Sequence, residues 1–361
     1  MLLFFIVFLV AALIIEWVSL KNPLKYIEYE MAPAKKLVDP DEEFEIVSTM
    51  ENARRRPILF IEIQEKMPNQ IRITHERHRS RRLKSMIDKQ AAKLTVTRTT
   101  YLMSRQHLER RVKAVLPSRG RYSFWGASVW SGDFLGLREK HRSFDCPSEI
   151  VVKPAPASGA QELLALGGFL GSVSVRRFIM EDPVLKMGFR EYTGSEPQKS
   201  IAWKRSASLG RLVVNNHDHT LEPSVTVVLN VDCFDEKTDE SRIERCYCLA
   251  RFVCETLEKQ RISYGFITNA ATAGALGRWK YIAEGLGISH LSTILEGLGR
   301  ATHAKAERFA HTIDRAVHMA ERGRSHIVIT PFETPAMKEG AARLRGIVGG
   351  ETLVISPEER G

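Results

Sequence analysis

The chain has 361 residues, of which 43% are hydrophobic and 27% are charged. These proportions are typical of globular proteins and exclude a disordered tail or a collagen-like fibre, and the length is sufficient for two domains with separate cores. The formal net charge of +10 comes from one basic segment, Arg72 to Arg121, in which fifteen Lys and Arg residues outnumber three acids. This segment carries +12, so the rest of the chain sums to −2.

An apolar segment begins the chain. Residues 1–20 contain only two polar side chains, Glu16 and Ser19, and twenty helical residues span about 30 Å, the thickness of the hydrocarbon core of a bilayer. We therefore predict a transmembrane helix at 1–20 that contacts lipid through residues 2–20. A signal peptide would need a positive start and a small-residue cleavage site, and a buried core helix would show a polar face. The positive-inside rule places the C-terminal side in the cytoplasm, because that side carries Lys21, Lys25, Lys35, Lys36 and Arg54 to Arg56.

Short strands are predicted after a juxtamembrane linker at 21–42. Apolar and polar residues alternate at 58–65 and at 70–75, and residues 93–102 are rich in Thr and Val. Turn-forming residues such as Pro117 to Gly120 separate these stretches. Several short strands with such punctuation are typical of an antiparallel sandwich, so we predict a β-sandwich-like domain at 43–157.

The C-terminal part alternates predicted strands with predicted helices. A connector at 158–223 comes first, and a continuous apolar run at 224–231 is then typical of a buried strand. Apolar residues at 242–259 fall on one helical stripe. The remaining elements are strands at 262–268, 325–330 and 352–356 and a helix at 304–322. This alternation predicts an open, mostly parallel α/β sheet with helices on both faces at 224–361.

Acidic residues follow two of the predicted strands. Asp232 and Glu333 would lie at the carboxyl edge of the sheet, where oxygen ligands from two loops could hold Mg²⁺. The alternative, which we favour, is that Asp232 and Asp235 solvate their loop and cap the helix that follows it. Motifs for a nucleophile elbow, a zinc protease or a phosphate-binding loop are absent from the sequence, so we predict no catalytic residues and no enzyme activity. The five cysteines lack the spacing of a zinc site or a disulfide framework, which predicts free thiols.

The most specific segment lies in the connector. Residues 189–207 read Phe-Arg-Glu-Tyr-Thr-Gly-Ser-Glu-Pro-Gln-Lys-Ser-Ile-Ala-Trp-Lys-Arg-Ser-Ala. The balanced charges and the two aromatic residues have two interpretations. One is a salt-bridged clasp that ties the two domains together with its rings packed inside, and we favour it. The other is a binding surface, because exposed Tyr, Trp and Arg often dominate protein interfaces.

This segment resembles the signature of the bacterial "domain of unknown function 58" family, approximately R-E-Y-x-x-G-D-x-x-R-x-I-x-W-x-x-S-A. Glu196 and Lys199 stand where the family has Asp and Arg, and Ser195 stands where it has Gly. The residues that we assign to an interaction site on this basis are Arg190, Glu191, Tyr192, Glu196, Lys199, Ile201, Trp203 and Ser206.

The resemblance implies a fold and a set of partners. It implies a von Willebrand factor type A-like α/β domain, preceded here by the sandwich-like domain and one N-terminal transmembrane helix. Members of that wider fold often bind Mg²⁺ through a D-x-S-x-S loop, and the matching residues are Asp232, Phe234 and Glu236, without either serine. The implied metal ligands are therefore a degenerate set, Asp232, Glu236 and Glu333, and no other cofactor is expected.

The function implied by the resemblance is that of a membrane-anchored, non-enzymatic interaction or scaffold protein. It would work with a MoxR-type AAA+ ATPase in the assembly or maturation of other proteins. Its expected location is the bacterial plasma (inner) membrane, as a single-pass protein with cytoplasmic soluble domains.

Two alternatives remain open. The first is a basic peripheral module that binds anionic lipid headgroups or nucleic acid. Nucleic acid is disfavoured because the basic segment lacks interleaved aromatic residues. The basic surface in question would comprise Arg77, Arg79, Arg81, Arg82, Lys84, Arg110 and Arg111. The second alternative is Mg²⁺-dependent binding or catalysis at the degenerate metal loop.

Overall fold

A computed structural model of the chain describes residues 6, 7, 10, 24–76, 83–84, 93–132, 139–157, 165–173, 186–193, 201–217, 224–233, 239–274, 279–319 and 324–357. The chain divides into two compact units, Met1–Ala155 and Pro156–Gly361.

The first unit consists of strands. Its strands are β1 (Ile27–Pro33), β2 (Leu37–Val38), β3 (Phe44–Asn52), β4 (Ile58–Pro68), β5 (Arg72–Glu76), β6 (Leu83–Lys84), β7 (Lys93–Leu102), β8 (His107–Val115), β9 (Gly120–Gly132) and β10 (Glu139–Val152). They form a four-stranded sheet in the order β1-β3-β8-β5 and a six-stranded sheet in the order β2-β10-β9-β4-β7-β6. The pairings are antiparallel except for the short parallel pair of β2 and β10.

Alternation of buried and exposed side chains explains why these segments are strands. In β1, Ile27, Tyr29 and Met31 are buried while the residues between them are exposed, which is the period-two pattern of a sheet with one face on a core. This strand pairs with β3 from Ile27 opposite Asn52 to Pro33 opposite Ile46. The segment predicted to be a juxtamembrane linker, 21–42, therefore contributes two strands and several core residues to the first unit.

The second unit mixes strands and helices. Its strands are β11 (Lys186–Glu191), β12 (Val213–His217), β13 (Ser224–Leu229), β14 (Ser263–Thr268), β15 (Ala270–Thr272), β16 (Tyr281–Gly285), β17 (Ala301–Lys305), β18 (Ser325–Ile329) and β19 (Thr352–Ile355). Its helices are α1 (Trp203–Leu209), α2 (Glu240–Lys259), α3 (Ile288–Arg300), α4 (Phe309–Met319) and α5 (Pro335–Val348), and residues 165–173 are also helical.

The central sheet of this unit has the strand order β16-β14-β13-β18-β19. Four of its strands run parallel and β16 runs antiparallel at one edge. Side chains from α4 and α5 pack on one of its faces, where Val228, Ile267 and Val328 meet Phe309 and Leu344 in a single cluster. Two further pairs, β11 with β12 and β15 with β17, form small separate sheets.

The predicted fold class, a von Willebrand A-like α/β domain behind a sandwich and a transmembrane helix, is wrong. Strands in several sheets dominate the described residues, and in the second unit β15, β16 and β17 interrupt the expected alternation of one strand with one helix. The reason is local: after β14 and the short β15, the chain returns as β16 antiparallel beside β14, so no crossover helix is needed at that point. The sequence analysis missed all three short strands.

The predicted transmembrane helix at 1–20 lies outside the described residues except for positions 6, 7 and 10. Within the part of the chain that is described, we find no helix that combines the length and the apolar character needed to cross a bilayer. The prediction of a single-pass plasma-membrane protein depended on such a helix, so the described structure does not support it.

Candidate functional site

Backbone hydrogen bonds hold both ends of the signature segment against β12. The N–H of Tyr192 donates to the carbonyl of Leu212 over 3.0 Å, and the N–H of Ala202 donates to the carbonyl of Val213 over 2.9 Å. Ile201 forms an isolated antiparallel bridge with Val214. Residues 194–200 lie between these anchored ends and outside the described residues. The segment therefore belongs to a small structure built from β11, β12 and α1.

Two of the predicted interaction residues have structural roles. Ile201 is buried beneath this small structure. Ser206 is also buried, and its Oγ accepts a hydrogen bond of 3.0 Å from the N–H of Val213. The hydroxyl thereby accepts a hydrogen bond from the strand backbone and links α1 to β12. Buried polar groups are usually hydrogen-bonded in this way.

Apolar side chains are exposed around these buried residues. Trp203 is 62% exposed and Phe189 is 48% exposed, and Leu209 and Leu212 are also exposed. The guanidinium of Arg205 lies over the ring of Phe189, 5.6 Å from its centroid, within the range of a cation–π contact. We call Phe189, Trp203, Leu209 and Leu212 the apolar surface. All four residues come from 24 consecutive positions of the chain, 189–212.

The favoured interpretation of the signature segment as a clasp with its rings packed inside does not describe Trp203, which is exposed. Glu191 forms its ion pair with Arg211, a residue that the sequence analysis did not consider. Tyr192 is half-buried. Glu196, Lys199 and the side chain of Arg190 lie outside the described residues, so their predicted ion pairs remain predictions.

Asp232, the first predicted metal ligand, has protein partners. Its Oδ2 accepts a hydrogen bond of 3.2 Å from the N–H of Phe309, the first residue of α4, and its Oδ1 lies 3.4 Å from Nζ of Lys305. A carboxylate at this position satisfies a free helix N–H and interacts favourably with the helix dipole. Asp232 thus caps a helix, but not the helix that follows its loop: the helix that it contacts starts 77 residues later in the chain.

The other predicted metal ligands do not join Asp232 in the described structure. Glu333 is exposed and pairs with Lys338 over 3.4 Å, and Glu236 lies outside the described residues. Among the residues that are described, we find no group of three or more His, Cys, Asp or Glu arranged to hold a metal ion. The donor set at Asp232 does not fit Mg²⁺, because the ammonium of Lys305 already neutralises this carboxylate.

A buried polar network joins the carboxyl ends of three central strands. Asn230 follows β13, Asn269 follows β14 and Thr330 follows β18, and all three are buried. The Asn230 amide donates to Oγ1 of Thr330 over 3.1 Å and its Oδ1 accepts from the Asn269 amide over 2.9 Å. The Asn230 Oδ1 also accepts from the N–H of Asp232 over 2.9 Å. These bonds fix the loop that carries Asp232, and sequence reasoning missed them because the partners lie far apart in the chain.

The structure describes only part of the predicted basic surface. Arg77, Arg79, Arg81 and Arg82 lie outside the described residues, and only the backbone of Lys84, in β6, is described. Arg111 is exposed and pairs with Glu109 and Glu45. Arg110 is only 4% exposed, so its assignment to a surface is wrong: the period of two in β8 directs neighbouring side chains to opposite faces.

Arg110 belongs to a buried ion cluster centred on Glu65. The Glu65 carboxylate is fully buried and receives the guanidinium groups of Arg98 and Arg110 and the hydroxyl of Tyr29. Burial alone raises the pKa of Glu65, but the charges of Arg98 and Arg110 and the hydrogen bond from Tyr29 outweigh it, so this pKa lies below its ordinary value. Burial and the neighbouring carboxylate raise the pKa of Tyr29 well above its ordinary value. Glu65 is therefore ionised at neutral pH.

The described cysteines are all free thiols, as the spacing predicted. Burial raises the pKa of Cys246 and of Cys254 well above the ordinary value, because a thiolate is poorly solvated in an apolar core. Both thiols are inert core groups in this structure.

Comparison with models of protein families gives no match, and comparison with curated protein sequences gives none. Among solved structures, a cohesin module from a family 33 glycoside hydrolase of Clostridium perfringens is 9% identical, with a TM-score of 0.27 over 35% of this chain and 96% of that one. A CARDB domain from Pyrococcus furiosus, solved with two metal ions, is 8% identical, with a TM-score of 0.22 over 36% and 90%. The sporulation control protein Spo0M from Bacillus subtilis is 11% identical, with a TM-score of 0.20 over 47% and 58%. These scores are too low to establish a shared fold or function.

Proposed function

We propose that this chain is a non-enzymatic interaction protein that binds another protein through the apolar surface of its second unit. The single observation that supports the proposal is the exposure of Trp203, a large aromatic side chain that is 62% accessible to solvent. Tryptophan is among the residues that contribute most binding energy when a partner covers them. Phe189, Leu209 and Leu212, from the same stretch of chain, are also exposed.

The charges around the apolar surface suggest the chemistry of the partner. Lys204 and Arg205 are exposed beside Trp203, and Arg211 is exposed beside Leu212. Interfaces commonly combine an apolar centre with a polar rim of complementary charge. We therefore expect a partner with an apolar patch surrounded by acidic residues.

The first partner class to test is the one implied by the signature segment, a MoxR-type AAA+ ATPase. The signature residues divide into two groups that suit such a role. Ile201 and Ser206 are buried and hold α1 on β12, whereas Trp203 projects into solvent. A binding site built this way has a rigid base and an exposed aromatic residue.

To test the proposal, isothermal titration calorimetry measures the affinity of the full chain for a purified MoxR-type AAA+ ATPase from the same organism. Trp203→Ala removes the most exposed residue of the apolar surface. Tyr101→Ala is the matched control, because Tyr101 is an aromatic residue of the first unit that is 61% exposed. Thermal unfolding of both variants verifies that neither substitution disturbs the fold.

We expect the wild-type chain and Tyr101→Ala to bind equally, and we expect Trp203→Ala to bind at least about 30-fold more weakly, a loss of about 2 kcal/mol. Absence of binding by the wild-type chain overturns the partner class. Equal binding by the wild-type chain and Trp203→Ala overturns the role of the apolar surface.

A further inference from the structure

A cavity of about 520 Å³ lies at the carboxyl edge of the central sheet of the second unit. Asn230 and Asp232 line it from the end of β13, and residues of α4 and α5 line it from the side. The chain leaves β13 for β14 on one side and later adds β18 on the other side. In open sheets with parallel strands, the crevice at such a reversal of strand order is where small ligands bind. Its volume is within the range of small-molecule sites.

The lining carries more positive than negative charge. Lys305, Arg308 and Arg343 line the cavity together with two carboxylates, Asp232 and Glu339, so the formal balance is +1. Lys305 is paired with Asp232 and Arg343 is paired with Asp314. Arg308 is exposed, and among the described residues no carboxylate pairs with it. It is therefore the cation that remains for a ligand.

The rest of the lining is apolar. Phe309 and Ile313 from α4 and Met337 from α5 are buried, and Phe332 lies between β18 and α5. An apolar wall beside a cation is an arrangement that binds an amphipathic anion. The apolar part of such a ligand displaces water from the wall, and its charged group forms hydrogen bonds with the guanidinium.

We infer that this cleft is a binding site for a small organic anion with an aromatic body, held by the apolar wall at Phe309 and Phe332 and by the guanidinium of Arg308. The site is independent of the apolar surface, since none of the four residues of that surface lines it. It also differs from the predicted metal site. Lys305 supplies the positive charge at Asp232, and the ligand is an anion rather than a cation.

Three small probes test the inference on the full chain by saturation-transfer NMR and calorimetry. Benzoate carries the aromatic body and a single charge, phenyl phosphate carries the body and a second charge, and benzyl alcohol carries the body without charge. We expect benzoate to bind with a Kd on the order of 1 mM, which is typical of so small a ligand. Benzyl alcohol should bind at least about tenfold more weakly, because it cannot form the charge-assisted hydrogen bond to Arg308.

Two variants and one control separate the cleft from the rest of the surface. Arg308→Gln removes the cation, and Ala310→Trp fills the cleft from α4 at an exposed position without changing any charge. Lys259→Gln is the control, because Lys259 is exposed at the end of α2, at the opposite edge of the sheet. Binding of benzoate or phenyl phosphate that is lost in both cleft variants and kept in the control supports the site, and the ratio of the two affinities identifies the head group. Failure of both aromatic anions to bind, or equal binding to Arg308→Gln and to the wild-type chain, overturns it.

Discussion

The guanidinium of Arg110 donates to Oε2 of Glu65 over 3.0 Å inside the first unit. Glu65 lies on β4 of the six-stranded sheet and Arg110 on β8 of the four-stranded sheet, so this ion pair joins the two sheets across their shared core. Both side chains are at least 96% buried, since Glu65 is 0% and Arg110 is 4% exposed. A buried carboxylate between two guanidinium groups is stable only while its partners are present.

Removal of Arg110 should therefore destabilise the first unit strongly. We expect Arg110→Ala to lower the free energy of unfolding by about 3–5 kcal/mol, because Glu65 loses a partner and stays buried. Arg111→Ala is the matched control: Arg111 is the next residue, is exposed and pairs with surface carboxylates, so its loss should cost less than about 1 kcal/mol. Urea denaturation measures both. Equal losses would show that the buried pair has no special weight.

His326 should make the second unit sensitive to acid. It is fully buried on β18, and burial, together with the nearby positive charge of Arg324, lowers its pKa from 6.5 to about 4. Between these two values the unfolded chain binds a proton that the folded chain does not, so stability is complete above pH 6.5 and falls as the pH drops towards 4. The loss should reach about 3 kcal/mol.

Chemical denaturation at a series of pH values tests this. In His326→Leu the extra loss of stability between pH 6.5 and 4 should disappear. His311→Gln is the control, because His311 is exposed and its removal should leave the profile as in the wild-type chain. A wild-type profile that is flat over this interval would contradict the prediction.

Gly297 is required by the close approach of an indole ring. A Cβ at Gly297, inside α3, would lie 1.2 Å from Nε1 of Trp279, and Trp279 is itself buried. Gly297→Ala should therefore destabilise the second unit by about 1–3 kcal/mol, as expected for overpacking. Gly346→Ala in α5 meets no atom within 4 Å and should stabilise by about 0.5–1 kcal/mol, because alanine favours the helix. If the contact with Trp279 is real, the thermal midpoint of unfolding falls in Gly297→Ala and rises in Gly346→Ala.

Magnesium should not stabilise this protein. Asp232 is engaged by Lys305 and by the N–H of Phe309, so a divalent cation would have to displace an existing pair. We expect the thermal midpoint to change by less than about 1 °C on adding Mg²⁺ at millimolar concentration, because a ligand stabilises only the state that it binds. Asp232→Asn should be equally insensitive to Mg²⁺. A rise in the midpoint of the wild-type chain that Asp232→Asn abolishes would restore the metal site.

The local patterns that the sequence contains describe individual elements well. The alternating residues at 58–65 lie within β4, the apolar run at 224–231 contains β13, and the helical stripe at 242–259 lies within α2. Each of these is a statement about one segment and one face.

Predictions of sheet topology and strand pairing from local sequence patterns were wrong. The alternation of strands and helices predicted a single doubly covered sheet, but the short strands β15, β16 and β17 have too few residues to show a period. Pro23, Pro33 and Pro40 favour a linker at 21–42, yet β1 within this segment pairs along seven residues with β3. Strand pairing is decided by a partner elsewhere in the chain, and a single segment does not record it.

The sequence by itself determined the buried stripe of α2, because the period of 3.6 follows from backbone geometry alone. It also determined the buried strand β13, because its apolar run is continuous. It also determined that the cysteines are free thiols and that the net positive charge lies in one segment, Arg72 to Arg121. Only the tertiary structure decided that Arg110 faces a buried carboxylate, that Trp203 faces solvent and that Lys305 lies against Asp232. The residue that contacts Arg110 is 45 positions away in the sequence, and the helix residue that contacts Asp232 is 77 positions away. A local pattern does not reveal such partners, and the energy of a charge depends on what surrounds it in space.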